Sequence, residues 1–394
     1  MARIKTEIQN ISFDDQRKKY YITLNYGYES GKQIKKTKTA KTKTEAKKIL
    51  KEFEADKIRG ELTTPRTETL ADWLDYWMTN VVELSREKTT FCGYKIIVDK
   101  HIVPCIGNIP LQKLTPQKIQ EFYTLELNAV NEKGNHTLSS NTVKKHHTLL
   151  KTALEYAVKQ DIIRVNPAKK VSAPKYVKPE ISFYTIDSLK ILFDLIDSDY
   201  VLKPAVYLAG KLGLRREEIA GLKWEHLDFE NNLIYIKEVR AMANREIIIK
   251  QTKNISSTRR LSFGDDLKST LQEIKIAHEE NKKIFSLDDL NTEELSEICI
   301  DSDYVVTNEL GIPIHPGYLS TLFGKFVKVY GIPHITLHGL RHTIASVGND
   351  AGLTLYDISK ILGHSSPDVT GKIYTHLFDE TQRDAMAKIQ DRLK

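Results

Sequence analysis

The sequence predicts a multidomain α+β protein. It has a small N-terminal sheet-plus-helix module (residues 1–60), a helical domain (residues 67–172), and a mainly helical C-terminal domain with a small antiparallel sheet (residues 180–394). Three observations lead there. At 394 residues the chain exceeds what one core organises, given about 150 residues per domain. Polar, proline-bearing breaks at residues 60–68 and 173–179 divide it. The residue pattern also changes at the breaks, from aromatic and β-branched runs, to helical spacing, to a mixture of both.

In the first module, Lys19 to Tyr28 carries aromatic and β-branched residues and reads as a strand, with a turn at 29–32. Gln33 to Thr39 reads as a returning strand of lysine and threonine. Thr44 is the expected N-cap of a helix over Glu45 to Ile58, with Ala46, Ile49, Leu50 and Phe53 on one face. From Lys32 to Lys51 there are nine lysines against one acid, Glu45. A basic sheet face of this kind fits a DNA-groove reader, and equally a solvated lysine-rich face.

In the second segment Leu70, Trp73, Leu74, Trp77 and Met78 form an apolar helical stripe that belongs in a core. Further helices are expected over Thr89–Ile102, Thr115–Leu127 and Ser140–Gln160, with Thr115-Pro116 as an N-cap and first-turn proline. The third segment starts with helices over Thr185–Ile196 and Leu202–Leu212. Strands follow over Asn232–Val239, Glu246–Gln251 and Arg259–Phe263, and then mostly helices. Residues 276–303 carry nine acids against two lysines, the mark of a solvated insertion.

Composition excludes several classes. Hydrophobic residues at 40% and charged residues at 28% describe a soluble globular chain, not a disordered one. No apolar run approaches the roughly 18 residues of a membrane helix, and the N-terminus MARIKTEIQN lacks a secretory core, so a cytoplasmic protein is expected. Cys92, Cys105 and Cys299 are scattered and odd in number, which points to reduced thiols. His334, His338 and His342 recur every four residues as zinc ligands on a helix face do. Pro333 interrupts a continuous helix there and no His-Glu-x-x-His box accompanies them, so neither a metal nor another cofactor is expected.

Four segments of the third domain carry chemistry together. They are Leu212-Gly213-Leu214-Arg215-Arg216-Glu217-Glu218, the strand-turn-strand around Lys253, Leu337-His338-Gly339-Leu340-Arg341-His342, and Leu362-Gly363-His364 followed by Tyr374. Arginine stays protonated and offers a planar fork of donors, suited to charge that builds on a phosphoryl group. Histidine moves protons near neutral pH. Tyrosine, with a pKa of about 10, becomes a nucleophile only beside a base or a cationic pocket.

In this order and spacing the segments resemble the tyrosine recombinase (phage integrase) family, in its conjugative-transposon and phage form. The resemblance implies a site-specific recombinase that cuts and rejoins DNA through a 3′-phosphotyrosine. Tyr374 is then the nucleophile, Arg215 and Arg341 clamp the scissile phosphate, His338 and His364 add hydrogen bonds and proton transfer, and Lys253 protonates the leaving 5′ oxygen. Lys250, three residues away, matches the hairpin position less well. Glu218 and Asp228 become supports for Arg215 and its helix, and Trp224 core. Glu217 departs from the small residue that many members carry there.

The same resemblance makes residues 1–60 an arm-type DNA-binding module and 67–172 a core-binding domain. Tyr20, Tyr26 and Tyr28 would pack on sugar or thymine methyl groups, and Lys35, Lys36 and Lys38 meet phosphates. Lys144, Lys145 and His146, on the longest helix, are further phosphate contacts. Expected partners are double-stranded DNA at core and arm sites, three further copies in a tetramer, and a directionality factor; an amphipathic tail over 377–394 either docks on a neighbouring copy or packs on its own domain. A non-catalytic DNA-binding protein of the same fold and a type IB topoisomerase are the alternatives.

Overall fold

β1 (Ile4–Lys5), β2 (Ile11–Asp14), β3 (Lys19–Glu29) and β4 (Lys32–Ala40) form an antiparallel sheet in sequence order, and α1 (Lys43–Ile58) packs on one face of it. The structure, a computed structural model, describes residues 3–29, 31–59, 62–178, 182–244, 246–251, 259–284, 303–363, 371 and 391–393. Ile11, Ile22, Leu24 and Ala40 of the sheet meet Ala46 and Leu50 of α1 in a small core. The helix is capped by Thr42, not Thr44: the Thr42 hydroxyl accepts from the Glu45 amide at 3.1 Å, and Glu45 reaches back to the Lys41 amide at 3.0 Å. Thr42 has a glutamate three residues on, the partner that a capping arrangement needs, whereas Thr44 has a lysine.

The same compact unit, Met1–Lys178, holds a second and larger hydrophobic cluster. It is built by α2 (Leu70–Trp77), α3 (Glu83–Ser85), α4 (Lys88–Ile97), α5 (Val103–Ile106), α6 (Pro116–Asn128) and α7 (Ser140–Lys159). The stripe Leu70, Trp73, Leu74, Trp77 and Met78 is buried, and the Trp73 indole N–H donates to the Ala153 carbonyl at 3.0 Å. Single π-helical turns, Met78–Val82 and Val98–Ile102, carry α2 into α3 and α4 into α5. Thr115 and Ser139 cap α6 and α7, accepting from the amides of Lys118 and Thr142.

The second unit, Pro179–Lys394, has its own core around α9. Its helices are α8 (Ile186–Ile196), α9 (Leu202–Leu212), α10 (Arg216–Gly221), α11 (Asp265–Ile284), α12 (Pro316–Val329), α13 (Leu337–Asp350) and α14 (Leu355–Leu362). Its strands are β5 (Leu227–Asp228), β6 (Leu233–Ile236), β7 (Glu238–Ala243), β8 (Glu246–Gln251) and β9 (Arg259–Ser262). They form a three-stranded sheet, β5-β6-β9, and a β7-β8 hairpin.

The single strand expected over Asn232–Val239 is thus two strands in different sheets. Ile234 and Ile236 point into the core, whereas β7 crosses against α10 so closely that a Cβ on Gly221 would lie 2.9 Å from the Arg240 nitrogen. Arg240 is itself buried there, bonded to the carbonyls of Ala220 and Ile314 at 3.2 and 3.3 Å. One straight strand cannot serve both surfaces. Trp224 packs half-buried on the core, as expected. Among the described residues no helix is long and apolar enough to cross a membrane.

Candidate active site

The Gly213-Leu214-Arg215 segment joins two helices by a reversal. Gly213 ends α9 at φ 65°, the left-handed region that glycine enters without strain, and Leu214 is buried behind it. Arg215 then takes the N-cap position of α10. Glu218 sits one helical turn on, which explains the three-residue spacing. Its carboxylate accepts the Arg215 amide at 2.8 Å and the Arg215 guanidinium at 2.7 Å.

Glu218 is 2% exposed and takes a second guanidinium, that of Arg259 from β9, through two hydrogen bonds at 2.9 and 3.0 Å. Burial by itself would raise the pKa of this carboxyl. The hydrogen bonds and charge of Arg259, with the charge and amide of Arg215, outweigh burial and hold it at about 2.

Three arginines meet at the C-terminal end of α14. Arg259 Nε donates to the Ile361 carbonyl at 3.1 Å, Arg341 to that of Leu362, and Arg215 Nη2 to that of Gly363 at 2.6 Å. The last carbonyls of a helix have no partner within it and carry the negative end of the helix dipole, so cations settle there. Gly363 closes the helix at φ 63°, and a Cβ on it would lie 2.7 Å from the Arg259 guanidinium. The Leu-Gly pair ahead of His364 therefore supplies acceptors and clearance for arginines.

Arg341 is 1% exposed and also donates to the Gly213 carbonyl at 2.6 Å, which ties α9, α13 and α14 together. Arg215, at 32% side-chain exposure, is the arginine that faces solvent. His338 lies one turn before Arg341 on α13 and keeps an open edge. Partial burial, then the charges of Arg341 and Arg215, lower its pKa below the ordinary histidine value. His342 stands edge-on to His338 at 4.7 Å between ring centres, and burial, His338 and Arg341 push its pKa down to about 4. Near pH 7 His342 is neutral.

Of the expected catalytic set the structure therefore gathers Arg215, His338 and Arg341 in one region. Lys253, His364 and Tyr374 lie outside the described residues, as do 285–302 of the acidic insertion and nearly all of the tail. His334 precedes α13, whose cap is Thr336, so the three histidines do not share a helix. Asp228 does not support Arg215: it closes the β5–β6 turn, accepting from the Glu230 and Asn231 amides at 3.1 and 2.9 Å. Glu217 pairs with Arg216 at 2.6 Å and leaves Arg215 to Glu218. Arg259 had no role in the sequence reading. The alternation of Arg259 with buried Leu261, paired across from Ile236 and Ile234, is the signal that marks it as inward.

The DNA-contact candidates separate by face. Tyr26 stacks edge-on to Phe53 of α1 at 5.0 Å, and Tyr20 packs on the same core and on Phe13. Both are packing residues of the module, because the even-numbered positions of β3 from 20 to 26 face the helix, and the bulge between Asn25 and Gly27 turns Tyr28 to the other side. Lys36 and Lys38, opposite Leu24 and Ile22, rise on that helix side too, and Lys38 borders a cleft with Ile49 and Phe53. Lys35, opposite Asn25, projects from the open face, and Tyr28 is 75% exposed. The open face also carries Tyr21, covered by the Arg3 guanidinium at 3.8 Å, a pair the sequence reading passed over.

On α7, Lys145 is exposed and Lys144 lies with its Nζ 5.3 Å from the Tyr176 ring centre. His146 is not a surface contact. It is 1% exposed and bonded to Glu126, because it falls on the inward stripe with Val143 and Leu150.

Comparison with known proteins places these features in a group. The profile described as "Phage integrase family" matches residues 184–381, and "Phage integrase, N-terminal SAM-like domain" matches residues 69–125. A tyrosine recombinase XerC-like protein of Caldanaerobacter subterraneus subsp. tengcongensis is 30% identical over 95% of this chain and 96% of its own length. The ICEBs1 integrase of Bacillus subtilis is 24% identical over 95% of this chain and 97% of its own. Among solved structures, a Tn1549 transposon integrase with a circular intermediate DNA superposes with a TM-score of 0.65 at 21% identity, covering 82% of this chain and 99% of the other. A lambda integrase dimer bound to a COC′ core site gives 0.56 at 18% identity, covering 94% and 96%.

Proposed function

The chain belongs to the phage integrase family of tyrosine recombinases, and from that membership we propose how its own residues divide the work of DNA strand exchange. It is a site-specific recombinase of mobile-element type. Arg215 is the solvent-facing arginine, positioned by Glu218, and it takes the scissile phosphate with its forked donors. Arg341 supports the same phosphate from the protein side while it holds the ends of α9 and α14. The convergence of Arg215, Arg259 and Arg341 on the carbonyls of residues 361–363 carries this reading, since it prepares a cationic site before any phosphate arrives.

The phenolic oxygen of Tyr374 attacks the phosphorus, the bond to the 5′ oxygen breaks, and Lys253 gives that oxygen its proton. His338 and His364 hydrogen-bond the phosphoryl oxygens and relay the tyrosine proton. A 5′ hydroxyl from a second strand then attacks the 3′-phosphotyrosine, restores the phosphodiester and frees Tyr374. The energy of the broken bond is kept in the covalent link, so rejoining needs no nucleotide cofactor.

The open face of the N-terminal sheet, with Lys35 and Tyr28, binds a second class of DNA site, and Lys144 and Lys145 of α7 meet core-site phosphates. A lambda integrase tetramer on a Holliday junction supports a four-copy working assembly here, and a directionality factor sets the choice between integration and excision.

The test is a nicked suicide duplex spanning the joined ends of the element that encodes the protein. The wild type should yield a denaturation-resistant protein–DNA adduct and Tyr374→Phe none. Equal adduct from both proteins removes Tyr374 as the nucleophile.

A further inference from the structure

His101, Glu126 and His146 come together in the first unit from three separate helical segments. His101 belongs to the π turn Val98–Ile102, Glu126 to α6 and His146 to α7. His101 Nδ1 lies 2.9 Å from Glu126 Oε1, and His146 Nδ1 lies 2.5 Å from Oε2. Glu126 and His146 are 8% and 1% exposed, and the two imidazoles face each other at 4.6 Å between ring centres. Their ligand atoms all lie within 4.8 Å of one another, the only such group of three or more among the described residues.

One feature separates this trio from an ordinary core hydrogen bond. No lysine or arginine among the described residues pairs with Glu126, so a buried carboxylate is balanced by imidazoles alone. Burying an anion without a cation is costly, and a bound cation relieves that cost.

We propose that His101, Glu126 and His146 form a zinc site whose fourth position is open to water. Two neutral imidazole nitrogens and a carboxylate oxygen are a donor set that zinc takes, with water completing the tetrahedron. With bonds of about 2.1 Å, tetrahedral ligand atoms lie about 3.4 Å apart, so the nitrogen–oxygen pairs at 2.9 and 2.5 Å open slightly and the imidazole nitrogens, within 4.8 Å of each other, need little movement. On binding, the Nδ1 protons move to Nε2. The ion would pin α6, α7 and the π turn to one another, and so fix the helix that bears Lys144 and Lys145. No sequence motif marks this set, since the ligands are spread over 46 positions and follow no known zinc spacing.

The test uses the full chain, stripped with a chelator and titrated with Zn2+ against a chromophoric competitor. Expected are one ion per chain, a higher thermal midpoint, and an affinity lowered more than about tenfold in His101→Ala, by analogy with losses at supporting residues of metal sites. His101 is partly exposed, so this variant should fold, and circular dichroism checks that it does. Substituting Co2+ should give visible tetrahedral bands that weaken in His101→Ala. Binding below one equivalent, or unchanged in His101→Ala, overturns the site and leaves a proton-sharing triad.

Discussion

Arg259 grips Glu218 at two points, Nη1 to Oε1 at 2.9 Å and Nη2 to Oε2 at 3.0 Å, and Glu218 in turn holds the amide and guanidinium of Arg215. The solvent-facing arginine is thus oriented by a buried acid that is itself oriented by a second arginine. Both members of the inner pair are nearly inaccessible, at 8% and 2% side-chain exposure. Arg259→Met leaves a buried carboxylate short of its main partner. It should lower the free energy of unfolding by about 3–5 kcal/mol, read by urea denaturation, and reduce adduct formation as well. Unchanged stability would show that the pair is incidental.

Acid should expose the same pair. The Glu218 pKa lies near 2 in the fold against an ordinary 4.5, so its contribution is complete above about pH 4.5 and is lost as pH falls toward 2. His342, at about 4 against 6.5, acts earlier: the unfolded chain takes up its proton first, and stability declines as pH falls from 6.5 toward 4. His342→Asn should flatten the decline above pH 4 and leave the lower one. A pH series of thermal unfolding curves decides it.

Gly363 is constrained twice, by φ 63° and by the Arg259 guanidinium where a Cβ would sit. Gly363→Ala should cost at least the roughly 1–2 kcal/mol of a non-glycine residue in the left-handed region. It should also displace Arg259 and depress cleavage. An alanine variant as stable and as active as the wild type would contradict the packing described here.

Arg215→Lys keeps the charge and discards the fork. Duplex binding, measured by fluorescence anisotropy, should change little. Adduct yield should fall by about 10²–10³, the loss typical of removing one preorganised donor from a developing negative charge. Parallel losses in binding and cleavage would argue that Arg215 only anchors the duplex.

For the N-terminal sheet the faces make distinct forecasts. Lys35→Ala should lower the slope of log affinity against log salt by about 0.9, one phosphate contact. Lys36→Ala and Lys38→Ala, on the helix side, should leave it almost unchanged. Equal slopes for all three lysines would return the strand to a solvated face.

Much of this protein was legible in its residues because it depends on near neighbours. Thr115 caps a helix from within one turn, Gly213 reverses a chain next to it, and Arg215 meets Glu218 three positions away. Near-neighbour logic also has failures, and each has a local cause. Thr42 outcompeted Thr44 for the cap because only it has the glutamate at the right distance, and the 232–239 strand divided because β7 must lie against Gly221.

By itself, then, the sequence determined the helices up to Leu212, the Thr115 cap, the order of the motifs and the family they resemble. Tertiary structure alone decided that Arg341 reaches the Gly213 carbonyl across 128 positions, Arg215 that of Gly363 across 148, and Arg259 that of Ile361 across 102. It likewise decided which lysines of β4 share the helix side and that His146 turns inward to Glu126. The reason is physical: a cap or a spacing is satisfied within one turn, whereas a helix end accepts whichever cation the packing of distant elements brings to it.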